Sequence, residues 1–282
     1  MVCDIPPHSY CGHSCVVFDM NYDKATYKLY STLWGGTLRL IMTRPFFNKT
    51  YALFQRNKRS KRKIATLIEH YNIDTSEFIK QDFDSFNDFI IRELRPESRP
   101  IGEGLVAPAD SLMLALEVDN DTIFSIKGKD YTISKLIGEE NHEYGLCLIF
   151  RLAVYDYHRY CFPSSGIKTS HKQIRGVLDS VNMSQTSRFT LCSNCREVSV
   201  LQTESFGEIA FVEVGAMLVG RIVNTHKGVR FTKGDKKGYF EFGGSTIVLL
   251  LKKNAVKIKQ EIIENSRRGI ETKVKLGETI SC

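Results

Sequence analysis

The chain has 282 residues, of which 42% are hydrophobic and 25% charged. These proportions are typical of a soluble globular protein, and the length suffices for one large domain or two small ones. The sequence contains no run of about twenty apolar residues, which argues against a membrane span. Asp19 and Asp23 near the N-terminus do not fit a secretory signal or a transit peptide. We therefore expect the eight cysteines to be reduced thiols in a cytosolic setting.

The net charge of +7 is partly concentrated in one segment, because residues 56–63 hold six cations in eight positions. Such a segment suits an anionic membrane surface, which attracts cations by about 1 kcal/mol each. The alternatives are a nucleic-acid patch and an ordinary solvated loop that begins a helix. As the partner of this segment we expect an anionic membrane and no nucleic acid.

Residues 1–30 are predicted to form an N-terminal extension, and residues 31–282 to form the main domain. The extension carries Cys3, His8, Cys11, His13 and Cys15, whose spacing fits no common zinc-finger pattern. We therefore expect no metal site.

The first part of the main domain, residues 31–100, is predicted to be helical and to face the membrane. An apolar stretch at 33–41 precedes Pro45, which limits a helix. Apolar residues at helical spacing predict a second helix that ends near Asn72. A third helix is predicted over residues 84–94, before Pro96.

The remaining part, residues 101–282, alternates as half-buried strands do, and glycines separate its apolar runs. The predicted strands cover residues 112–118, 146–154, 174–181, 197–202, 209–214, 217–223 and 247–251. A helical segment followed by a run of strands predicts an α+β fold, with a helical N-terminal layer on a mainly antiparallel β-rich core.

Three polar side chains stand out against this background. Ser245 follows Gly244 just before the apolar run 247–251, and its hydroxyl can attack the preceding carbonyl and convert the peptide bond into an ester. A tight turn before a strand is the plain alternative. Asp110 lies in a loop before a predicted strand, and His158 follows another strand. Taken singly, Asp110 can cap a turn and His158 can be a half-buried structural side chain.

These segments and their neighbours occur in an order that resembles the phosphatidylserine decarboxylase family, a pyruvoyl-dependent group. The resemblance covers residues 44–259. The matching segments are residues 86–94, 99–101, 108–110, 156–159, 214–216, 233–235 and 242–246. The Gly-Gly-Ser-Thr form of the last segment resembles the GGST branch of the family.

The resemblance implies a precursor that cleaves itself between Gly244 and Ser245, giving a β chain of residues 1–244 and an α chain of residues 245–282. The α chain would begin with a pyruvoyl group made from Ser245, and this covalent pyruvate would be the cofactor. Its ketone would accept the electron pair released when carbon dioxide leaves phosphatidylserine, so that phosphatidylethanolamine forms. The resemblance further implies a peripheral enzyme at the cytoplasmic face of a membrane, and a homodimer.

Position 161 departs from the family pattern. The pattern places a second histidine there, which completes an aspartate–histidine–serine relay for self-cleavage, whereas this chain has Cys161. His158 matches the histidine that the family uses in decarboxylation. The predicted catalytic set is therefore Ser245, Asp110, His158 and Cys161, in which either Cys161 or His158 completes the relay. Two further hypotheses are a decarboxylase of a soluble amino acid and an unprocessed, non-catalytic lipid-binding relative.

Overall fold

The structure, a computed structural model, describes residues 53–119, 124–125, 130–140, 142–176, 194–215, 221–241 and 245–282. The N-terminal extension, the helix predicted at 33–41 and the glycine pair that precedes Ser245 lie outside the described residues. The division of the chain into extension, helical part and β-rich part therefore stays a prediction.

Helix α1 (Arg62–Tyr71) confirms the second predicted helix, including its end. Asn72 closes it in the left-handed conformation at φ 49°, which asparagine tolerates better than most residues. Helix α2 (Phe86–Ile90) begins at Ser85, whose hydroxyl accepts a hydrogen bond from the backbone N–H of Asp88. The prediction of a helix through residue 94 was wrong, because the helix ends at Ile90 and Leu94 forms a β-bridge with Phe78.

Within the described residues, thirteen strands and two further helices follow. The strands are β1 (Ser111–Glu117), β2 (Phe124–Ser125), β3 (Asp130–Tyr131), β4 (Tyr144–Leu152), β5 (Arg159–Cys161), β6 (Gly166–Ile174), β7 (Arg196–Thr203), β8 (Gly207–Val214), β9 (Arg221–Asn224), β10 (Arg230–Phe231), β11 (Lys236–Glu241), β12 (Ser245–Lys252) and β13 (Thr272–Val274). Helix α3 covers Ile133–Ile137 and helix α4 covers Gln260–Arg267.

Eight of these strands form the large sheet, in the order β10-β6-β7-β8-β12-β4-β1-β13. Strands β5, β11 and β9 form a smaller sheet, and β2 pairs with β3. Every pairing is antiparallel. The α+β prediction is thus confirmed. No helix in the described ranges is long and apolar enough to cross a membrane.

Strand β12 lies near the middle of the large sheet, and both of its faces are covered. Ile247 and Leu249 belong to a core that also holds Tyr160 and Phe240 of the smaller sheet. Val248 and Leu250, which alternate with them, pack into a second core with helix α3 on the other face. Because side chains alternate along a strand, Ser245 lies on the face that the smaller sheet covers.

One predicted strand, at 174–181, is placed wrongly in its described part. Strand β6 ends at Ile174 rather than beginning there, and residues 177–181 lie outside the described residues. Much of β6 is polar and exposed, so its sequence lacks the apolar alternation from which strands are predicted. Helix α4 and strand β13 were also not predicted.

Candidate active site

Ser245 is the first residue of β12 and is fully buried. Its register partner is Leu152, the last residue of β4. The next residue, Thr246, pairs with strands on both sides, opposite Arg151 and Val214. Ser245 is therefore fixed at the end of the central strand pair, directly beside the segment that follows Leu152.

The segment after Leu152 folds back and brings His158 next to Ala153. The imidazole of His158 is fully buried, and its Nε2 lies 3.0 Å from the carbonyl oxygen of Ala153, the residue after Leu152. A carbonyl oxygen only accepts, so Nε2 carries the proton and Nδ1 keeps its lone pair. Nδ1 is buried without a hydrogen-bond partner among the described residues. Burial, aided by the charge of Arg92, lowers the pKa of His158 to about 3, so the ring is neutral at physiological pH.

Asp156 binds the backbone N–H of Ala153, whose carbonyl oxygen accepts from His158. Its Oδ2 accepts a hydrogen bond of 2.7 Å from the backbone N–H of Ala153. Burial raises the pKa of Asp156 to about 7; the Ala153 N–H opposes this shift, and the negative charge of Asp110 adds to it. Asp156 was not among the predicted site residues, although it stands two positions before His158 in the matched segment. A carboxyl that exchanges its proton near neutral pH thus lies beside the strand partner of Ser245.

The helical N-terminal part contacts the segment from Ala153 to Arg159. The buried guanidinium of Arg92 donates to the carbonyl oxygens of Tyr155 (3.1 Å) and Asp156 (3.2 Å). Arg159 Nε donates to the carbonyl oxygen of Ile91 (2.9 Å), and its guanidinium pairs with Glu93 at 3.1 Å. The segments 86–94 and 156–159, which matched the family as separate motifs, are therefore one structural unit.

Asp110 lies in a second group of residues. Arg99 binds its carboxylate through two nitrogens, with Nε 2.8 Å from Oδ1 and Nη2 2.6 Å from Oδ2. The backbone N–H of Leu276 donates to Oδ1 at 2.8 Å. Arg99 also pairs with Glu77 at 3.0 Å. The carboxylate is thus anchored jointly by the N-terminal part and by the C-terminal tail.

Cys161 lies beside the loop that carries Asp110. Its backbone N–H donates to the carbonyl oxygen of Pro108 (2.9 Å), next to the Asp110 loop, and its Sγ lies 4.0 Å from the carbonyl oxygen of Ala107. Burial raises the pKa of the Cys161 thiol to about 12, and the charges of Asp110 and Asp235 add to the effect. The thiol therefore stays protonated at neutral pH, where a relay base must accept a proton.

A buried ion pair also borders this region and was missed by the sequence analysis. Glu213 is the register partner of Ile247, two residues from Ser245 on the same face of the sheet, and its carboxylate pairs with the ammonium of Lys237. Both side chains are buried. Burial raises the pKa of Glu213 and lowers the pKa of Lys237, while each charge opposes the shift of its partner. In the sequence Lys237 stands between Lys236 and Gly238, in a polar segment that gave no sign of a buried pair.

Comparison with known proteins settles the family. The family model described as "Phosphatidylserine decarboxylase" matches residues 86–282. The chain belongs to the phosphatidylserine decarboxylase family. It is 43% identical over 275 residues to phosphatidylserine decarboxylase proenzyme 2 of Clostridium acetobutylicum, which covers 94% of both chains. It is 42% identical to phosphatidylserine decarboxylase proenzymes of Clostridium perfringens and Clostridium botulinum, over 89% of this chain and 90% of each relative.

Membership in the phosphatidylserine decarboxylase family confirms the predicted enzyme class, a carboxy-lyase. The matched region begins at Phe86 and includes all four predicted catalytic residues, Asp110, His158, Cys161 and Ser245. Their individual roles and the assignment to the GGST branch remain predictions.

Proposed function

We propose that this protein cleaves itself between Gly244 and Ser245 and then decarboxylates phosphatidylserine to phosphatidylethanolamine. The observation that carries the proposal is the position of the buried Ser245 next to Leu152, whose neighbour Ala153 is held by both His158 and Asp156. A nucleophile, a neutral imidazole and a carboxyl group thus border one point of the sheet.

The maturation step needs a nucleophile and a base. Ser245 Oγ attacks the Gly244 carbonyl carbon, the Gly244–Ser245 C–N bond breaks, and an ester forms. Loss of the Ser245 α-proton then breaks the Cβ–Oγ bond, which releases Gly244 as a carboxylate and leaves a dehydroalanine, in equilibrium with its imine, at residue 245. Addition of water and loss of ammonia leave the ketone at residue 245. His158, neutral and with an open lone pair on Nδ1, supports the base role better than the Cys161 thiol.

The residues present fit a pyruvoyl group at position 245. The strand that begins there is paired along its length with β4 and β8, so the new terminus stays fixed. His158, whose Nε2 bonds to the residue after the strand partner of Ser245, keeps a buried acceptor in Nδ1 without a partner among the described residues. When formed, the pyruvoyl group supplies the electron sink for decarboxylation. His158 and Asp156 are then the groups placed to hold and return the proton that the product carbon requires.

The two chains are expected to remain together after cleavage. Residues 245–282 supply the central strand β12 and the edge strand β13 of the large sheet. The same segment supplies the Leu276 N–H that holds Asp110, and Ile280 donates to the carbonyl oxygen of Leu105. Separation of the chains would therefore expose the core of the large sheet to water.

An anionic membrane surface is the proposed place of action, on the cytoplasmic face. Leu53 and Phe54 are exposed to 60% and 52%, and they precede the basic segment in the sequence. Lys58, Arg59 and Arg62 of that segment are also exposed. Apolar side chains next to cations are typical of a surface that lies on anionic lipid. Self-association into a homodimer remains a proposal without a structural argument.

Intact-mass analysis and a lipid assay test these proposals together. Cleavage predicts two masses, for residues 1–244 and 245–282, and release of phosphatidylethanolamine from phosphatidylserine vesicles. A single uncut chain that still binds lipid would support the non-catalytic alternative. A cut chain that releases carbon dioxide from a soluble amino acid but not from phosphatidylserine would support the second alternative. Vesicle flotation at low and high salt measures the expected electrostatic contribution to membrane binding.

A further inference from the structure

A polar cavity of about 150 Å³ lies between the smaller sheet and the far part of the large sheet. It is lined by Phe162, Lys168, His171, Ser199, Asn224, His226, Lys227 and Lys237. A water molecule takes roughly 30 Å³ of liquid volume, so the cavity has room for several waters or for one small polyatomic ion.

The charge of the lining is one-sided. Five of the eight lining side chains are lysines or histidines, and none is a carboxylate. Lys227 and His171 are exposed and lie at the mouth, Lys168 is half-buried, and Lys237 is buried in the floor. The positive charges of lysines around a small volume repel one another unless an anion neutralises them.

The nearest carboxylates are already engaged outside the lining. Glu213 pairs with the ammonium of Lys237, which also donates to Asn224 Oδ1 at 2.9 Å. Glu197 accepts a bond of 2.7 Å from Asn224 Nδ2 and lies 3.4 Å from His171 Nε2. An ammonium has three N–H donors, so Lys237 keeps one beyond these two acceptors. This network fixes the floor of the cavity before any ligand enters.

We propose that the cavity binds a phosphate-sized oxyanion, with Lys168, Lys227 and Lys237 as its cationic ligands. A tetrahedral oxyanion presents acceptors in several directions, which matches ammonium donors on three separate strands and loops. The same chemistry is offered by free inorganic phosphate and by the phosphate of a lipid head group.

The cavity is separate from the Ser245 end of the sheet. His171 is paired with Ser199 on β7, Ser199 with Phe211 on β8, and Phe211 with Leu249 on β12. The lining strand β6 is thus three strands away from β12, or about 14 Å at the usual strand spacing. Glu213, the register partner of Ile247, lies between the Ser245 end and Lys237 in the cavity floor. The oxyanion site therefore does not depend on the proposed cleavage of Ser245.

Titration calorimetry with inorganic phosphate tests the site, with chloride adjusted to hold ionic strength constant. The native chain is compared with the double variant Lys168→Ala/Lys227→Ala, which changes one half-buried and one exposed lysine and leaves the buried floor intact. Loss of two charge-assisted contacts is expected to weaken phosphate binding at least tenfold. The control is Lys253→Ala/Lys257→Ala, two exposed lysines outside the cavity with the same change of net charge. This control should bind phosphate as the native chain does.

Two results would overturn the proposal: no saturable binding of phosphate to the native chain, or equal weakening in both double variants. Glycerophosphoserine, the soluble head group of the lipid, distinguishes the sources. Competition with phosphate assigns the cavity to a head group, and failure to compete assigns it to the free ion. All measurements are repeated in Ser245→Ala, so that binding there supports the site even if the proposed decarboxylation fails.

Discussion

His158 donates through Nε2 to the carbonyl oxygen of Ala153, at 3.0 Å, one residue beyond the strand partner of Ser245. This bond fixes the tautomer and directs the basic nitrogen, Nδ1, away from Ala153. Burial lowers the pKa of His158, so the ring is neutral at rest and its Nδ1 lone pair is unprotonated. The same burial weakens the imidazole as a base, so its contribution to proton transfer depends on its position.

His158→Gln is expected to lower turnover by about 10²–10⁴, the usual contribution of a positioned acid–base group. The glutamine amide can still donate to Ala153 but offers no basic nitrogen, so the fold is preserved while the chemistry is lost. His158→Ala should lower turnover equally and also reduce stability, because it leaves the Ala153 carbonyl without its donor. Turnover is measured on fully cleaved protein, which is obtained by long incubation. Native turnover in the glutamine variant would exclude the base role.

Cys161→His is expected to speed cleavage at Gly244–Ser245, because an imidazole accepts a proton at neutral pH whereas the buried thiol does not. The time course of intact mass after rapid purification gives the rate. Cys161→Ala is the matched control and should cleave at the native rate, since the thiol is silent in the proposed relay. Slower cleavage in the alanine variant would show that the thiol does take part.

The fold class was predictable because its signals are local. Helix α1 follows from its apolar spacing and from Asn72, and the apolar run of β12 marks a strand covered on both faces. Strand β6 gave no such signal, because its polar side chains are exposed and its place in the sheet is set by pairing with β7. The first and last residues of β6 therefore could not be predicted from the sequence alone.

The candidate site shows the same division. The family pattern gives Ser245, Asp110 and His158 directly from sequence. The pattern does not give the environment of Cys161, because the pKa of a thiol depends on burial that the sequence does not encode locally. Asp156 was missed for a related reason. Its raised pKa results from burial and from Asp110, which lies 46 positions earlier in the chain.

Asp156→Asn is expected to change the pH dependence of stability. The pKa of Asp156 is about 7 in the folded state against an ordinary value of 3.8, so between these values the folded state binds more protons than the unfolded state. Stability therefore falls as pH rises through this window, by at most about 4 kcal/mol at about 1.4 kcal/mol per pKa unit. Asparagine removes this slope and still accepts from Ala153. Urea unfolding at pH 5 and pH 8 measures it; an equal pH slope in both proteins would contradict the shift.

Lys237→Met should destabilise the fold by about 3–5 kcal/mol, because it leaves the Glu213 carboxylate buried without its cation. The double variant Lys237→Met/Glu213→Leu removes both charges and should recover most of this loss, since apolar side chains of similar size replace the pair. Urea unfolding at pH 7 gives the free energies of unfolding. The control is Lys252→Met, which breaks the exposed Lys252–Glu143 pair of 2.8 Å and should leave stability nearly unchanged. If the single and double variants were equally unstable, the loss would come from packing around Lys237 rather than from the unpaired charge of Glu213.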